Sequence, residues 1–407
     1  MFLFGASTSS HQVEGKTRND WDIWEHENAT FLASSARKKY DSLPIWPFIK
    51  KNAVEPHNYI ADKNSRHYTN FQKDFELANA LGHNTHRFSI EWSRVEPIEG
   101  EFDIKALEHY KEVINTLKRN GLEPVVTLWH WVHPVWFARK GAWLAQSAPK
   151  DFAKFVDVVI SYFGKDVKYW VTLNEPEIYT SNSYYRGIWP PQKKSLRLSF
   201  KVINNLIDGH KIAYKTIKAK FPHAMVGMSK NNTYFESAVG KIVSVPSAFL
   251  QSFFWNIWIL KKISKFQDFI GLNYYFHNRL FWGRRVNLNK RINDLGWEIF
   301  PSGIYFVLKQ LYKYFPDVPI IVTENGLADM RDKDRGWFIK EHLRFIRKAM
   351  NEGVDVRGYI HWSFIDNFEW DKGFWPRFGL VEIDYVTGER KPRSSAYIYK
   401  SLIKNWQ

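Results

Sequence analysis

The sequence predicts an α/β fold, a single (β/α)8 TIM barrel over residues 1–407 with its active face at the carboxyl ends of the strands. Eight short apolar runs, rich in β-branched residues, alternate with longer segments of helical periodicity along the chain, which implies a parallel sheet. No break in composition divides the 407 residues, a length that suits one α/β barrel. An open doubly wound sheet is the structural alternative. Its Gly-rich phosphate loop is absent after the first run, where Gly5-Ala6-Ser7-Thr8 stands.

The first strand is expected at Phe2–Ser7. After a charged region, Phe71, Phe75, Leu77, Ala78 and Leu81 give Tyr68–Leu81 the spacing of an amphipathic helix, ended by Gly82. Thr85–Ile90 is the second strand. Ile104–Asn120 is a helix with Gly121 past its end, and Glu123–His130 is the third strand. Helix Phe152–Phe163 leads to the fourth strand, from Tyr169 to a carboxylate at Glu175. Helix Phe200–Lys220 precedes Met225–Ser229, and Asp268–Tyr275 is the sixth strand. Helix Ile304–Tyr314 leads to Pro319-Ile320-Ile321-Val322-Thr323-Glu324, a buried run that stops at a carboxylate and turns at Asn325-Gly326. Helix Trp337–Asn351, closed by Gly353, leads to Val356–Ser363.

Composition narrows the partners. A charge of +16 raises nucleic acid or an anionic membrane. The basic residues, however, are scattered doublets such as Lys38-Lys39 and Arg284-Arg285, so a solvated surface is expected and no nucleic-acid partner. Without cysteine there is no disulfide, thiolate metal site or cysteine nucleophile. The amino terminus lacks a basic n-region and a full-length apolar core, so no cleaved signal is expected and the chain reads as cytoplasmic. Phe249–Leu260 is apolar but too short and interrupted to span a bilayer. The 17% aromatic content, with 19 Trp, is read mainly as core filling.

A glutamate at the carboxyl end of a buried strand is costly unless it is paired or used. Glu175 and Glu324 both stand there, each beside an asparagine. The other polar and aromatic groups at the strand ends are Gln12, Arg87, His130, Asn174, Asn273, Tyr275, Trp362, Glu369 and Trp370. Singly each has a bland explanation, such as a core histidine, a packed indole or a surface charge. Eleven on one rim point to hydrolysis of a glycosidic bond, which needs one carboxylate and one carboxylic acid, about 5 Å apart for a retaining reaction. The histidines lack metal-ligand spacing and no HExxH motif occurs, so neither metal nor cofactor is expected.

Seven segments in order carry a resemblance: Ser10–Gly15, Arg87–Arg94, Thr172–Pro176, Gly271–Tyr275, Thr323–Gly326, His361–Ser363 with Asp366–Trp370, and Arg377–Leu380. The chain resembles glycoside hydrolase family 1, the β-glucosidase and β-galactosidase family, over nearly its whole length. The resemblance implies a retaining double displacement with Glu324 as nucleophile and Glu175 as acid and then base. It places Arg87, Asn273 and Tyr275 around the nucleophile. Gln12, His130, Asn174, Tyr275, Trp362, Glu369 and Trp370 would bind the sugar. Relatives specific for phosphorylated sugars replace the residue at Glu369, so a neutral β-D-hexoside is the expected substrate. Glu91–Arg94 and Val356–Ser363 lean towards the archaeal-type branch.

Two departures stand out. The chain is short for the family between Asn232 and Lys265, where the apolar segment 249–260 lies. That segment reads as a barrel helix, or as an aglycone wall or a surface meeting a membrane or partner. The usual Trp-Asp after the rim histidine is Trp131-Val132, followed by His133. The competing function is a barrel that binds glycosides or glycoconjugates through segment 249–260 with little or no turnover.

Overall fold

The computed structural model describes residues 1–238 and 245–406. Eight parallel strands form the barrel: β1 (Leu3–Ser7), β2 (Thr85–Ser89), β3 (Glu123–Trp129), β4 (Tyr169–Asn174), β5 (Met225–Ser237), β6 (Phe269–Phe281), β7 (Ile320–Gly326) and β8 (Val356–Trp362). Their order is β5-β4-β3-β2-β1-β8-β7-β6, and β5–β6 pairing closes the ring. The expected (β/α)8 barrel is what forms, and each predicted strand is present.

Helices His67–Ala80, Ile104–Arg119, Ala148–Phe163, Leu196–Lys220, Gly303–Tyr314 and Arg335–Asn351 surround it. Each matches a predicted helix, with starts displaced by up to four residues. Their buried stripes, such as Phe152, Phe155, Val156, Val159 and Phe163, pack on the outward residues of the strands. The charged region after β1 is a further helix, Asp20–Tyr40, capped by the Asn19 side chain accepting from the Asp22 amide and seated by Trp21 and Trp24. Eleven of the 19 tryptophans are buried, as the core reading requires.

The barrel interior changes character along its axis. Leu3, Val125, Val171, Phe269, Ile321 and Ile360, from six strands, form an apolar plug that Tyr169 and Met225 pack against. Two residues further on, the same inward positions turn polar, at Thr127, Thr323 and, after Gly271, Asn273. A register shift in β4 between Val171 and Asn174 interrupts the alternation. Thr172 bonds outward to His210 and Leu173 packs in the outer core, yet Asn174 faces inward.

β5 and β6 overrun their predicted ends and stay paired above the mouth, from Thr233↔Phe276 to Ser237↔Leu280. Beyond β6 the chain returns antiparallel at Arg284–Arg285. The apolar segment between them is helical: Val245–Ser252, a wide turn at Phe253–Ile257, then Trp258–Lys262. Ala248, Ser252, Asn256, Ile257, Ile259 and Leu260 are buried, whereas Phe249, Leu250 and Phe254 are exposed.

Candidate active site

Glu324 ends β7, and Gly326 lets that strand approach β8: a Cβ there would meet the Trp362 carbonyl oxygen at 1.8 Å. Arg87, inward on β2 and 1% exposed, donates one Nη1 bond to Glu324 Oε1 and another to the Thr323 carbonyl (3.2 Å). Its Nε donates to Thr127 Oγ1 (3.0 Å) and its Nη2 to Asn174 Oδ1 (2.7 Å). Tyr275 Oη donates to Glu324 Oε2 at 2.9 Å. Both carboxylate oxygens are thus held, one by a guanidinium and one by a phenol.

Glu175 follows β4 with left-handed backbone (φ 42°, ψ 59°), a conformation costing a side-chain-bearing residue about 1–3 kcal/mol. Its amide donates to the Ser229 carbonyl (2.8 Å), and Pro176 starts the next helix. Neutral amides meet its carboxyl: Oε1 accepts from Asn273 Nδ2 (2.8 Å) and Asn231 Nδ2 (3.1 Å). Asn273 Nδ2 also donates to Asn174 Oδ1 (3.1 Å), and Thr323 Oγ1 donates to Asn273 Oδ1 (2.7 Å). One network therefore runs from Glu175 through Asn273, Asn174 and Arg87 to Glu324.

The two carboxyl groups share burial but differ in their charged partners. Burial pushes Glu175 well above the usual carboxylate range, and the negative charges of Glu324 and Glu177 push it the same way. Burial raises Glu324 as well, and the Arg87 charge with the hydrogen bonds from Arg87 and Tyr275 offsets that rise only in part. Burial, then the charge on Glu324, holds Tyr275 protonated. His130, buried and near Arg87, is kept neutral.

The remaining predicted residues line the same mouth. Asn174 Nδ2 bonds His130 Nε2 (3.1 Å), and the His130 ring lies near-parallel to those of Trp362 (5.9 Å) and Trp370 (6.2 Å). Gln12 ties the first loop to the last: Nε2 donates to the Phe368 carbonyl (2.6 Å) and Asn367 Oδ1 (3.1 Å), and Oε1 accepts from Ser9 (2.6 Å). Glu369 Oε2 makes no hydrogen bond among the described residues. Burial raises Glu369 to about 8, partly offset by Lys372.

The altered pair after His130 is accommodated. Trp131 takes φ 75°, and its Nε1 donates to the Asn174 carbonyl (3.0 Å). His133 is clasped by Asp20, whose Oδ1 accepts from the His133 amide (3.0 Å).

Sequence reasoning missed Asn231, Glu177 and Lys230, and gave Trp131 no role. Lys230 on β5 is fully buried, its Nζ 3.3 Å from Glu177 Oε1 and donating to the Asn231 carbonyl (3.1 Å). Glu177 Oε1 also accepts from the Asn231 amide (2.7 Å). The Trp255 ring, from the apolar segment, lies 5.6 Å from Lys230 Nζ. Lys230 directly follows the predicted run Met225–Ser229, so nothing in that run marked it as buried. As for metals, Asp22, His26 and Asp62 bring three ligand-capable groups together on the outside of the Asp20–Tyr40 helix, where His26 and Asp62 are exposed and the site network does not reach.

The profile of glycosyl hydrolase family 1 matches residues 1–265 and 259–407, which together take in the whole chain. The chain belongs to glycosyl hydrolase family 1. Beta-glucosidase A of Thermotoga maritima is 29% identical over 99% of this family 1 chain and 97% of its own length. A solved beta-glycosidase from Pyrococcus horikoshii superposes with a TM-score of 0.84 at 35% identity, covering 99% of this chain and 94% of that one. The beta-glucosidase from Thermotoga maritima in complex with glucoimidazole gives 0.88 at 29% identity, covering 99% and 98%.

Proposed function

We propose that this family 1 hydrolase is a retaining β-glycosidase of the β-glucosidase and β-galactosidase type, acting on non-phosphorylated β-D-hexosides. The observation that carries the reading is the contrast between its two glutamates. Arg87 and Tyr275 favour the anionic form of Glu324 and oppose its burial, whereas Glu175 is buried among amides and pressed by negative charge. Pairs whose environments push their proton affinities apart divide acid from nucleophile.

In the first step Glu324 attacks the anomeric carbon while Glu175 gives its proton to the leaving oxygen. Esterification removes the Glu324 charge, so Glu175 loses one reason to stay protonated. It can then take a proton from the water that cleaves the ester. Glu369, with Gln12 and His130 nearby, receives sugar hydroxyls, and Trp362 and Trp370 provide apolar faces. A carboxyl at 369 offers no cation to a phosphate, which disfavours a phosphorylated sugar. The Glu177 charge helps to keep Glu175 protonated, and Lys230 favours the ionised form of Glu177.

The test is labelling with a 2-deoxy-2-fluoro glucoside and its galactose counterpart, followed by peptide mass analysis. The label should lie on the peptide carrying Glu324, and Glu324→Gln should lose both labelling and hydrolysis. Glu175→Gln should lower kcat/KM for poor leaving groups by roughly 10²–10⁴-fold while sparing kcat/KM for activated aryl glycosides, whose kcat falls because the ester is then hydrolysed without a base. A label on another residue, or full turnover by Glu324→Gln, refutes the assignment. Two buried carboxyl groups joined through Asn273, Asn174 and Arg87 weigh against a barrel that binds without turnover.

A further inference from the structure

The outer face of segment 245–262 has the wrong chemistry for a solvated helix. From Val245 to Leu260 there is no charged residue, and Lys261-Lys262 follow. The inner side packs against the barrel, yet Val245 (53%), Phe249 (57%), Leu250 (53%) and Phe254 (60%) are exposed. A helix apolar all round normally has a covering on both sides.

The neighbouring surface continues this face. Gln251 Nε2 donates to the Gly283 carbonyl (3.3 Å), which sets the turn carrying the exposed Trp282 beside the helix. Phe249 and Phe306, the latter 45% exposed, line one cavity of about 370 Å³ with Lys309 and Lys313. Cations surround the aromatics: Lys261, Lys262, Arg284, Arg285 and Lys313 are exposed, while Lys309 pairs with Glu352 (3.2 Å). Residues 245–291 carry eight Lys or Arg and a single acid, Asp268.

We propose that this face docks on an anionic lipid bilayer, with Phe249, Leu250, Phe254 and Trp282 entering the headgroup region and Arg284, Arg285 and Lys261 meeting lipid phosphates. Bulky apolar groups beside a row of cations are the composition of interfacial helices. A second copy of the chain would bring the same cations against each other, which disfavours self-association through this face. Among the described residues no helix is long and apolar enough to cross a membrane, so the contact is peripheral. Because Trp255 of this segment reaches Lys230 beside Glu175, docking sets the barrel mouth close to the bilayer. Substrates with an apolar aglycone would be met there.

The test is co-sedimentation of the full chain with phosphatidylcholine vesicles, with and without 30% phosphatidylglycerol (about a third anionic, a level at which basic residues respond). Binding should require the anionic lipid. Arg284→Gln with Arg285→Gln should weaken it roughly 25-fold, at about fivefold per cation. Phe249→Ser with Leu250→Ser and Phe254→Ser should abolish it. Both variants should hydrolyse a soluble aryl β-glucoside at the parent rate, which shows that they fold. No binding, equal binding to neutral vesicles, or binding unmoved by the triple change overturns the proposal. So does a dimer in sedimentation velocity that the triple change dissolves.

Discussion

Lys230 and Glu177 offer the sharpest perturbation, because each loss leaves the other's charge stranded beside Glu175. At 3.3 Å the Lys230–Glu177 attraction is about 5 kcal/mol with an effective dielectric of 20. Removing one member of a buried pair costs about 3–5 kcal/mol, because the remaining charge is uncompensated. Lys230→Met should therefore lower the unfolding midpoint by about 5 °C, given an unfolding entropy near 2.1 cal/mol/K per residue. Lys230→Met combined with Glu177→Gln should recover much of that loss. The activity readout has a definite sign. Glu177→Gln removes an anion that keeps Glu175 protonated and leaves the Lys230 cation near it. Glu175 then ionises more readily, so the alkaline limb of kcat/KM moves to lower pH. Melting curves and a pH profile on an aryl β-glucoside provide both readings. Additive losses in the double variant, or an alkaline limb that moves to higher pH in Glu177→Gln, would refute the argument.

Three further outcomes are expected. Arg87→Met removes a charge-assisted bond to Glu324 worth about 1.5–3 kcal/mol, so kcat/KM should fall roughly 10–150-fold and its acid limb should move to higher pH; an unmoved acid limb contradicts this role. Glu369, raised to about 8, keeps a proton when folded that it loses when unfolded, so its burial costs stability as pH rises from about 4.5 to 8. Since the side chain keeps some solvent contact, Glu369→Gln should gain only about 1 kcal/mol on the parent between pH 5 and 8.5, read from paired melts. Asp366 is fully buried, with Oδ1 and Oδ2 each accepting from Arg393 at 2.9 Å, and its carboxyl is held below the usual range by Arg393 and Arg377 despite burial. That stabilisation is complete above about pH 5 and lost as pH falls through the lowered value; Asp366→Asn should cost about 3 kcal/mol at pH 7 and less at pH 3, by denaturant titration.

The strands and the rim were legible because burial and chemistry conflict openly at their ends. A carboxylate closing Ile320-Ile321-Val322-Thr323, or following Trp170-Val171-Thr172-Leu173, has no cheap structural explanation. What escaped has a physical cause in each case. The helix Asp20–Tyr40 has a buried face built from Trp21, Trp24, Ala29, Leu32, Ala33 and Ala36, but the exposed Ile23 and Phe31 blur its periodicity. The extensions of β5 and β6 depend on each strand finding the other, a contact that exists only once the ring is closed.

The innermost charges show why closure matters more than local pattern. Strict alternation from Val171 would turn Asn174 outward and leave Arg87 Nη2 and Asn273 without their shared acceptor. The irregularity in β4 re-aims it. Lys230 looks like a surface cation in its own segment, and Glu177 like an ordinary first-turn acid. Neither has a reason to be buried until β4 and β5 lie side by side and Asn231 bridges them, its amide on Glu177 and its side chain on Glu175. A buried ion pair contributes little net stability compared with an apolar pair of the same size. Its placement one asparagine away from Glu175 therefore argues that what it governs is the proton on Glu175, not the strength of the fold.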